Sequence, residues 1–333
     1  VQAAGVNPYT HAPDALEIAE LRTDYHTDIN NPSVPTIYPP AAQLVFLLLA
    51  LAGSNILLMK ATWLTCDLAT AWVLARTARD RGLDDLPVLL LWLWSPLLIV
   101  EVAWSGHLEP LGLLALALAI RFAGQKGTRA ASAGVALALA TLTKFAPAAA
   151  LPALVRRRGS AAAIGFLATV ALLYVPYAEA GEALFAGLRT YSEHWWFMKG
   201  AFGALEVIAG DTLNARRMAA VIVLCVIGWT AWRHMELDRA LLWVLGAGMI
   251  LTPTLHPWYV LWMLPMAVLR RSRAWLLLSG LAFTGYFGLG GYPNTGEWAQ
   301  PLLARAVLWL PFFALLIHDV WTTWREDSHE HVP

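Results

Sequence analysis

The feature that most constrains this chain is a succession of apolar runs that nearly fills it. At about 20 residues per crossing of a ~30 Å hydrocarbon core, candidate segments fall at 55–78, 86–104, 107–123, 130–143, 147–155, 159–177, 214–233, 240–253, 257–269, 272–290 and 300–324. Several are too short to span alone, and short apolar stretches enter a bilayer only by pairing, by re-entering or by thinning it. Of the 333 residues 58% are hydrophobic and only 14% charged, against about 25% charged in a soluble domain. A water-soluble globule is excluded. The expected fold is all-α: a polytopic membrane helix bundle of about eleven segments with re-entrant and half helices. Residues 1–325 form its single domain, and 326–333 are a frayed polar tail on the cytoplasmic side.

Net charge is zero, so it points to no nucleic-acid partner and no acidic substrate. Cys66 and Cys225 both lie in apolar runs, where a thiol acts as a small hydrophobe; no disulfide framework or metal cluster is suggested. Charge placement says more. The groups Arg76/Arg79/Arg81, Arg121/Lys126/Arg129, Arg156/Arg157/Arg158, Arg233/Arg239, Arg270/Arg271/Arg273 and Arg325 hold 15 of the 23 basic residues. All six fall on one side if each segment crosses once and 130–155 forms a hairpin, and the excess of Lys and Arg marks that side as cytoplasmic. The opposite, outer face receives residues 1–54, the Ser105-Gly106-His107 turn, the loop 178–213, the Thr254-Leu255-His256-Pro257 turn and the loop 291–299. The run 41–52 covers only about 18 Å at 1.5 Å per residue and reads as a helix dipping in from that face.

Proline interrupts three segments at membrane depth: Trp94-Ser95-Pro96, Lys144-Phe145-Ala146-Pro147 and Leu255-His256-Pro257. Broken backbone survives in a bilayer only where protein or a water-filled cavity satisfies the freed groups, so a cavity opening outward is expected. Ionisable groups in the apolar runs are costly and default to a functional reading; they are Lys60, Asp67, Glu101, His107, Glu109, Lys144, Arg216, Arg217, His256 and Arg305.

Lys144, at the hairpin tip, can reach a lipid phosphate at the cavity wall or can snorkel to headgroups. His107 and Glu109, in one tight outer turn, can bond sugar hydroxyls or cap the next helix, and two ligands do not make a metal site. Glu101 is expected to face Lys144 or Lys60, and Asp67 to form a structural network below Lys60. In His256-Pro257-Trp258-Tyr259, imidazole, indole and phenol suit the hydroxyl edge and apolar face of a sugar; an interfacial aromatic belt accounts for Trp258 well and for His256 poorly. Arg216 and Arg217 suit phosphate and equally suit anchoring to headgroups.

Gly5-Val6-Asn7-Pro8-Tyr9, then Val34-Pro35-Thr36-Ile37-Tyr38-Pro39-Pro40-Ala41-Ala42-Gln43, Ser105-Gly106-His107-Leu108-Glu109, Thr143-Lys144-Phe145-Ala146-Pro147 and His256-Pro257-Trp258-Tyr259 together resemble bacterial GT-C-fold glycosyltransferases. The most similar group is the polyprenyl-phosphate-mannose-dependent mannosyltransferases, glycosyltransferase family 87 and its relatives. The resemblance implies a multi-pass cell-membrane enzyme with its active site on the non-cytoplasmic face. It would move a sugar, mannose by this resemblance, from a polyprenyl-phosphate carrier to a hydroxyl of a glycan, lipid or protein acceptor. Such proteins carry an acidic general base directly before a Val-Gln-x-x-Gly-Val-Asn-Pro-Tyr stretch. Here that stretch starts at Val1-Gln2, so the base is expected upstream of Val1, and Asp14, Asp24 and Asp28 do not match its position. As a fragment the chain is then expected to bind donor lipid but turn over poorly. By the same resemblance the leaving phosphate falls to Lys144 first, then Lys60 and Arg216, while Tyr38, His107, Glu109, His256 and Tyr259 line the sugar and acceptor region. No cofactor is assigned, and dependence on a divalent metal stays open. The competing readings are a transporter or lipid flippase, which also has broken helices and buried charge, and a noncatalytic assembly subunit.

Overall fold

The computed structural model describes residues 1–125, 129–290, 292 and 298–329, the side chains of 323–329 excepted. Lys126, most of the 291–299 loop, the Arg325 side chain and the end of the tail therefore lie outside the described residues. The regular structure is helical, and among the described residues the one β-type pairing is an isolated bridge between Phe197 and Thr254.

A short helix α1 (Pro40–Leu51) is followed by the long α2 (Ile56–Asp80), whose first turn is capped by the Asn55 side chain accepting from Leu57 N–H. Asp84 caps α3 (Asp85–Leu93) in the same way. Pro96 then breaks that helix into α4 (Pro96–Leu98) and a π-turn (Ile99–Trp104), as expected where a proline removes a donor and crowds the preceding turn. The hairpin follows α5 (Glu109–Gly124) and comprises α6 (Ala130–Thr141) and α7 (Leu151–Arg158), with Lys144 between them. After it come α8 (Ser160–Tyr174), α9 (Ala186–His194), α10 (Phe202–Ala209), α11 (Thr212–Trp232) and α12 (Leu237–Ile250). A 3-10 stretch (Pro257–Met263) leads into α13 (Leu264–Arg270), then α14 (Arg273–Leu281) and α15 (Leu302–His329).

All eleven apolar segments contain helix, but among the described residues four helical stretches are long and apolar enough to cross a membrane: Ile56–Asp80, Ser160–His194, Thr212–Trp232 and Leu302–Thr322. The pair Asp85–Leu93 and Pro96–Trp104, bent by 42°, makes a fifth if taken together. The division has a physical basis. Between 17% and 28% of the residues in the four long windows are buried, so these helices face outward along most of their surface. Short α5 and α13 are enclosed instead: Leu264 to Leu269 are all buried, as are ten residues of α5. A helix shielded by protein need not match the bilayer. Close packing makes this possible, since a Cβ on Gly134 of α6 would collide with the Ala162 carbonyl of α8, and one on Gly165 with that of Ala131. Small residues let helices approach in this way where water supplies no drive to associate.

The arginine groups gather at one end of the bundle. Asp238, 1% exposed, accepts from Arg81 at 2.7 Å and from Arg270 at 3.0 Å, while Glu236 bonds Arg270 at 2.8 Å and Arg157 at 3.3 Å. Arg121 pairs with Asp80 at 2.7 Å. These links tie four basic groups together across α2, α5, α7 and α13, and the fifth, Arg233/Arg239, flanks the turn that carries Glu236. Removing one partner of a buried ion pair costs about 3 kcal/mol because the other charge is left uncompensated. Asp238→Ala should therefore lower the unfolding midpoint of the detergent-solubilised chain by that free energy. An unchanged midpoint would show that the knot contributes nothing to the fold.

Candidate active site

At the opposite end, helix termini build the site. Helix α6 stops before Pro147, leaving the Leu142 carbonyl without an intrahelical donor. The first free N–H groups of α1 fill that gap: Ala41 and Ala42 donate to Leu142 O at 2.9 and 3.3 Å. Orphan donors of one helix thus satisfy an orphan acceptor of another, and Lys144, two residues on, is fixed. Its Nζ donates to Glu109 Oε1 at 2.5 Å and sits 3.8 Å from the centroid of the Tyr259 ring. Glu109 opens α5, where a carboxylate is favoured by the helix dipole, and is 2% exposed. The Tyr259 hydroxyl pairs with that of Tyr191 at 2.7 Å. Burial, with the Glu109 carboxylate and Tyr191 adding, raises the Tyr38 phenol above its ordinary range. Gly112 is required here, because a Cβ would run into the Trp262 ring.

Beside this cluster, His107 and His256 stack on Trp258, with ring centroids 4.3 and 4.5 Å apart and interplanar angles of 20° and 1°. The turn carrying His256 is held by the segment 195–197: Phe197 N–H donates to Pro253 O at 2.9 Å, Leu255 N–H to Phe197 O at 2.8 Å, and Thr254 Oγ1 to Trp195 O at 2.6 Å. Glu101, fully buried in the π-turn, accepts from the Tyr286 hydroxyl at 2.5 Å and has His107 Nε2 3.3 Å away. Glu109 Oε2 and His256 Nδ1, both buried, make no hydrogen bond, and Glu101 Oε2 has only that His107 nitrogen beside it. Buried polar atoms are almost always satisfied in a folded protein, so open ones clustered together suit a polar ligand or ordered water.

The structure brings Lys144, Glu109, Tyr259, Tyr38, His107 and His256 into one region. Lys60 and Arg216 stand apart from it. Lys60 donates to the Trp104 carbonyl at 2.5 Å and lies against Gly106, bracing the turn that carries His107. Arg216 is on α11, beside a small apolar cluster of Phe202, Leu205, Ala215 and Ala219 that is separate from the main core. One expectation about partners is corrected: Glu101, carried on the π-turn, meets His107 and Tyr286 in place of a lysine. Asp67 accepts from Trp92 Nε1 at 2.9 Å, a structural contact of the kind expected for it. Trp258, explained above as belt, is the plate between the two histidines. Tyr191, Tyr286 and Phe197 escaped the sequence reading; the only signal was the aromatic density of their loops. Among the described residues no three His, Cys, Asp or Glu side chains are placed to hold a metal ion.

The sequence profile of glycosyltransferase family 87 matches residues 36–255, more than half of the chain. The chain belongs to glycosyltransferase family 87. The matched stretch carries Tyr38, Glu101, His107, Glu109 and Lys144, and ends at the residue before His256. Comparison with curated proteins and with solved structures finds no match. Membership makes the protein a membrane glycosyltransferase, with a sugar donor and an acceptor as substrates.

Burial, reinforced by the charges of Lys144 and His107, pushes the His256 imidazole down from 6.5 to about 3. A group whose folded value is depressed stabilises the fold above its unfolded value and loses that contribution as pH falls from about 6.5 toward 3. The unfolding midpoint should therefore drop more steeply between pH 7 and 4.5 for the unsubstituted chain than for His256→Gln. Parallel curves would show that the imidazole is not held neutral.

Proposed function

We propose that this family 87 enzyme transfers a sugar, mannose by resemblance, from a polyprenyl-phosphate carrier to an acceptor hydroxyl, on the face opposite the arginine-rich end. The observation that carries the reading is the placement of Lys144: an ammonium on a helix break, backed by a buried carboxylate and an aromatic face, next to unpaired polar atoms. In this reading the acceptor oxygen attacks the anomeric carbon, and the bond from that carbon to the phosphate oxygen breaks with its electron pair going to the phosphate. The acceptor proton passes to a carboxylate base. Negative charge grows on the leaving phosphate, and a cation fixed there favours the transition state over the ground state.

Lys144 is the phosphate-binding cation of this scheme. Glu109 keeps it from swinging into the apolar surroundings and leaves one oxygen for a sugar hydroxyl. Phe145 turns instead toward Phe185, with ring centroids 6.3 Å apart, at a groove of about 400 Å³ walled by Ala171, Tyr174, Val175, Ala178 and Leu184. Val175 is 68% exposed, so the groove opens toward the apolar outer surface, and a prenyl chain lying in it would bring its phosphate to Lys144. The histidine pair and Trp258 supply the hydrogen-bonding edge and stacking face for the sugar. Glu109 is engaged by Lys144 and Glu101 by Tyr286. Gln2 is fastened beside the site by Gln43 at 2.7 Å and Tyr177 at 3.1 Å, and Gln43 in turn bonds Thr36 at 2.6 Å. The arginine bias supports the outer face as the face of action.

Binding of a short-chain polyprenyl-phosphate mannose to the solubilised chain tests this reading without requiring turnover. Lys144→Met should weaken binding about tenfold, the ~1.4 kcal/mol expected at least for a charge-assisted contact, whereas Arg216→Gln should leave it unchanged. Equal binding by both variants, or preference for a nucleotide sugar, refutes the assignment. Glu109→Gln, with Lys144 then unpaired, should impair binding and also lower the unfolding midpoint.

A further inference from the structure

Glu101 sits on the π-turn with no exposed surface, and its two neighbours there restrict what chemistry the position can hold. Its Oε1 accepts from the Tyr286 hydroxyl at 2.5 Å, and its Oε2 faces His107 Nε2 at 3.3 Å. An oxygen and a ring nitrogen that both presented lone pairs would repel at that separation, so the imidazole proton belongs on Nε2. Tyr286 and His107 then both present donors, and the group between them accepts on each side. A glutamine of the same shape would accept from one neighbour and donate to the other, and it would avoid the cost of a charge in an apolar bundle. Only a carboxylate accepts at both ends.

Both neighbours are fixed independently of the carboxyl group. Gly106, at φ 80, turns the chain back so that the His107 N–H donates to the Glu101 carbonyl at 2.9 Å, and a Cβ on Gly106 would stand 3.3 Å from Lys60 Cε. Tyr286 is held from the other side: its ring stacks on Trp298 with centroids 5.9 Å apart at 24°, and Trp298 Nε1 donates to the Gly285 carbonyl at 2.9 Å. Trp298 in turn lies against His256, their ring centroids 5.5 Å apart, and His256 and His107 share Trp258. These contacts close a ring in which Glu101 joins the two halves. The His107 side chain is 30% exposed where that of Glu101 is 0% exposed, so part of the imidazole stays open to a ligand. With the ring plane set by Trp258 and the backbone by Gly106, one choice is left to His107: which nitrogen carries the proton.

We propose that Glu101, anchored by Tyr286, is a positioning residue for His107: it keeps the imidazole proton on Nε2 and so leaves Nδ1 as an acceptor for a hydroxyl of the bound sugar. The sugar half of this proposal rests on the reading of the histidine pair as the sugar-binding edge. The bond made by one ring nitrogen decides the state of the other, and replacing the acceptor behind an imidazole by an amide of the same shape keeps the geometry while reversing the tautomer. Glu101→Gln does this here. Tyr286 donates to the amide oxygen, the amide nitrogen turns to His107, and the ring accepts at Nε2 and carries its proton on Nδ1.

The test reads the tautomer directly, by long-range proton–nitrogen NMR of the full chain isotopically labelled at its histidine nitrogens, in detergent at about pH 8, above the ordinary histidine range. Loss of signals in His107→Gln identifies those of His107. The unsubstituted chain should show Nε2 protonated and Nδ1 bare, and Glu101→Gln the reverse. In Tyr286→Phe/Glu101→Gln the amide is free to turn its oxygen to His107, and the proton should return to Nε2; a role confined to packing moves none of these signals. Titration with a short-chain polyprenyl-phosphate mannose should then show about fivefold weaker binding for Glu101→Gln, the worth of one hydrogen bond, and recovery in the double variant. A proton that stays on Nε2 in Glu101→Gln, or a reversed tautomer with unchanged affinity, overturns the proposal. Should Glu101→Gln not fold, the unsubstituted spectrum decides: a proton on Nε2 alone upholds the assignment, and one on Nδ1 or on both nitrogens overturns it. Failure of the unsubstituted chain to bind the donor refutes the sugar reading, and the tautomer is read without donor, so the two failures are told apart.

Discussion

An ammonium group in an apolar bundle must be compensated, and the way Lys144 is compensated organises the rest of the site. Its partner Glu109 lies 35 residues earlier at the start of another helix, and its aromatic cover, Tyr259, comes from a third segment. None of the three can move without leaving a charge unpaired in a medium where that is expensive. The pair therefore fixes the hairpin tip against α5 and the 257–263 stretch, and it does so where each element is irregular. Proline makes the break that exposes the lysine, and the freed Leu142 carbonyl is the hook on which α1 hangs. Disorder in the hydrogen-bond ladder and order in the site have one cause.

The parts of this architecture legible in sequence were those dictated by local chemistry. Apolar runs, proline breaks and arginine clusters are read one segment at a time, and helices, breaks and the arginine-rich end all stand where those signals lie. The six residues that converge were legible for the same reason: a polar group stranded in an apolar stretch needs a partner. The partner's identity was not legible. Tyr286 reaches Glu101 across 185 residues and Tyr191 reaches Tyr259 across 68, and no periodicity encodes such distances. Trp258 shows the limit from the other side. An indole beside a membrane boundary has an ordinary explanation, and only the placement of a histidine on each side of its ring removes it.

The surroundings of Lys60 follow from helix geometry that one segment does not reveal. A lysine near the start of a long helix looks free to reach a ligand, but the turn after α4 passes close enough for Trp104 to offer its carbonyl, and Gly106 leaves room for the lysine stem. The residue stabilises the turn on which His107 sits. Lengths were misleading as well. Runs that fell short of a span looked like membrane oddities, whereas α5 and α13 are short because protein surrounds them and their ends are where the site and the knot are built.

The two ends of the bundle handle polarity in opposite ways, and the contrast bears on function. At the arginine end the buried carboxylate is saturated: both oxygens of Asp238 accept from guanidinium groups. At the other end Glu109 accepts one strong bond and leaves Oε2 bare, His256 leaves Nδ1 bare, and the second oxygen of Glu101 has only His107 Nε2, 3.3 Å away. An unsatisfied buried acceptor costs about 1–3 kcal/mol, and Glu109 Oε2 and His256 Nδ1 are such a cost, which the rest of the bundle offsets. A cost of that kind is expected where a polar ligand completes the network.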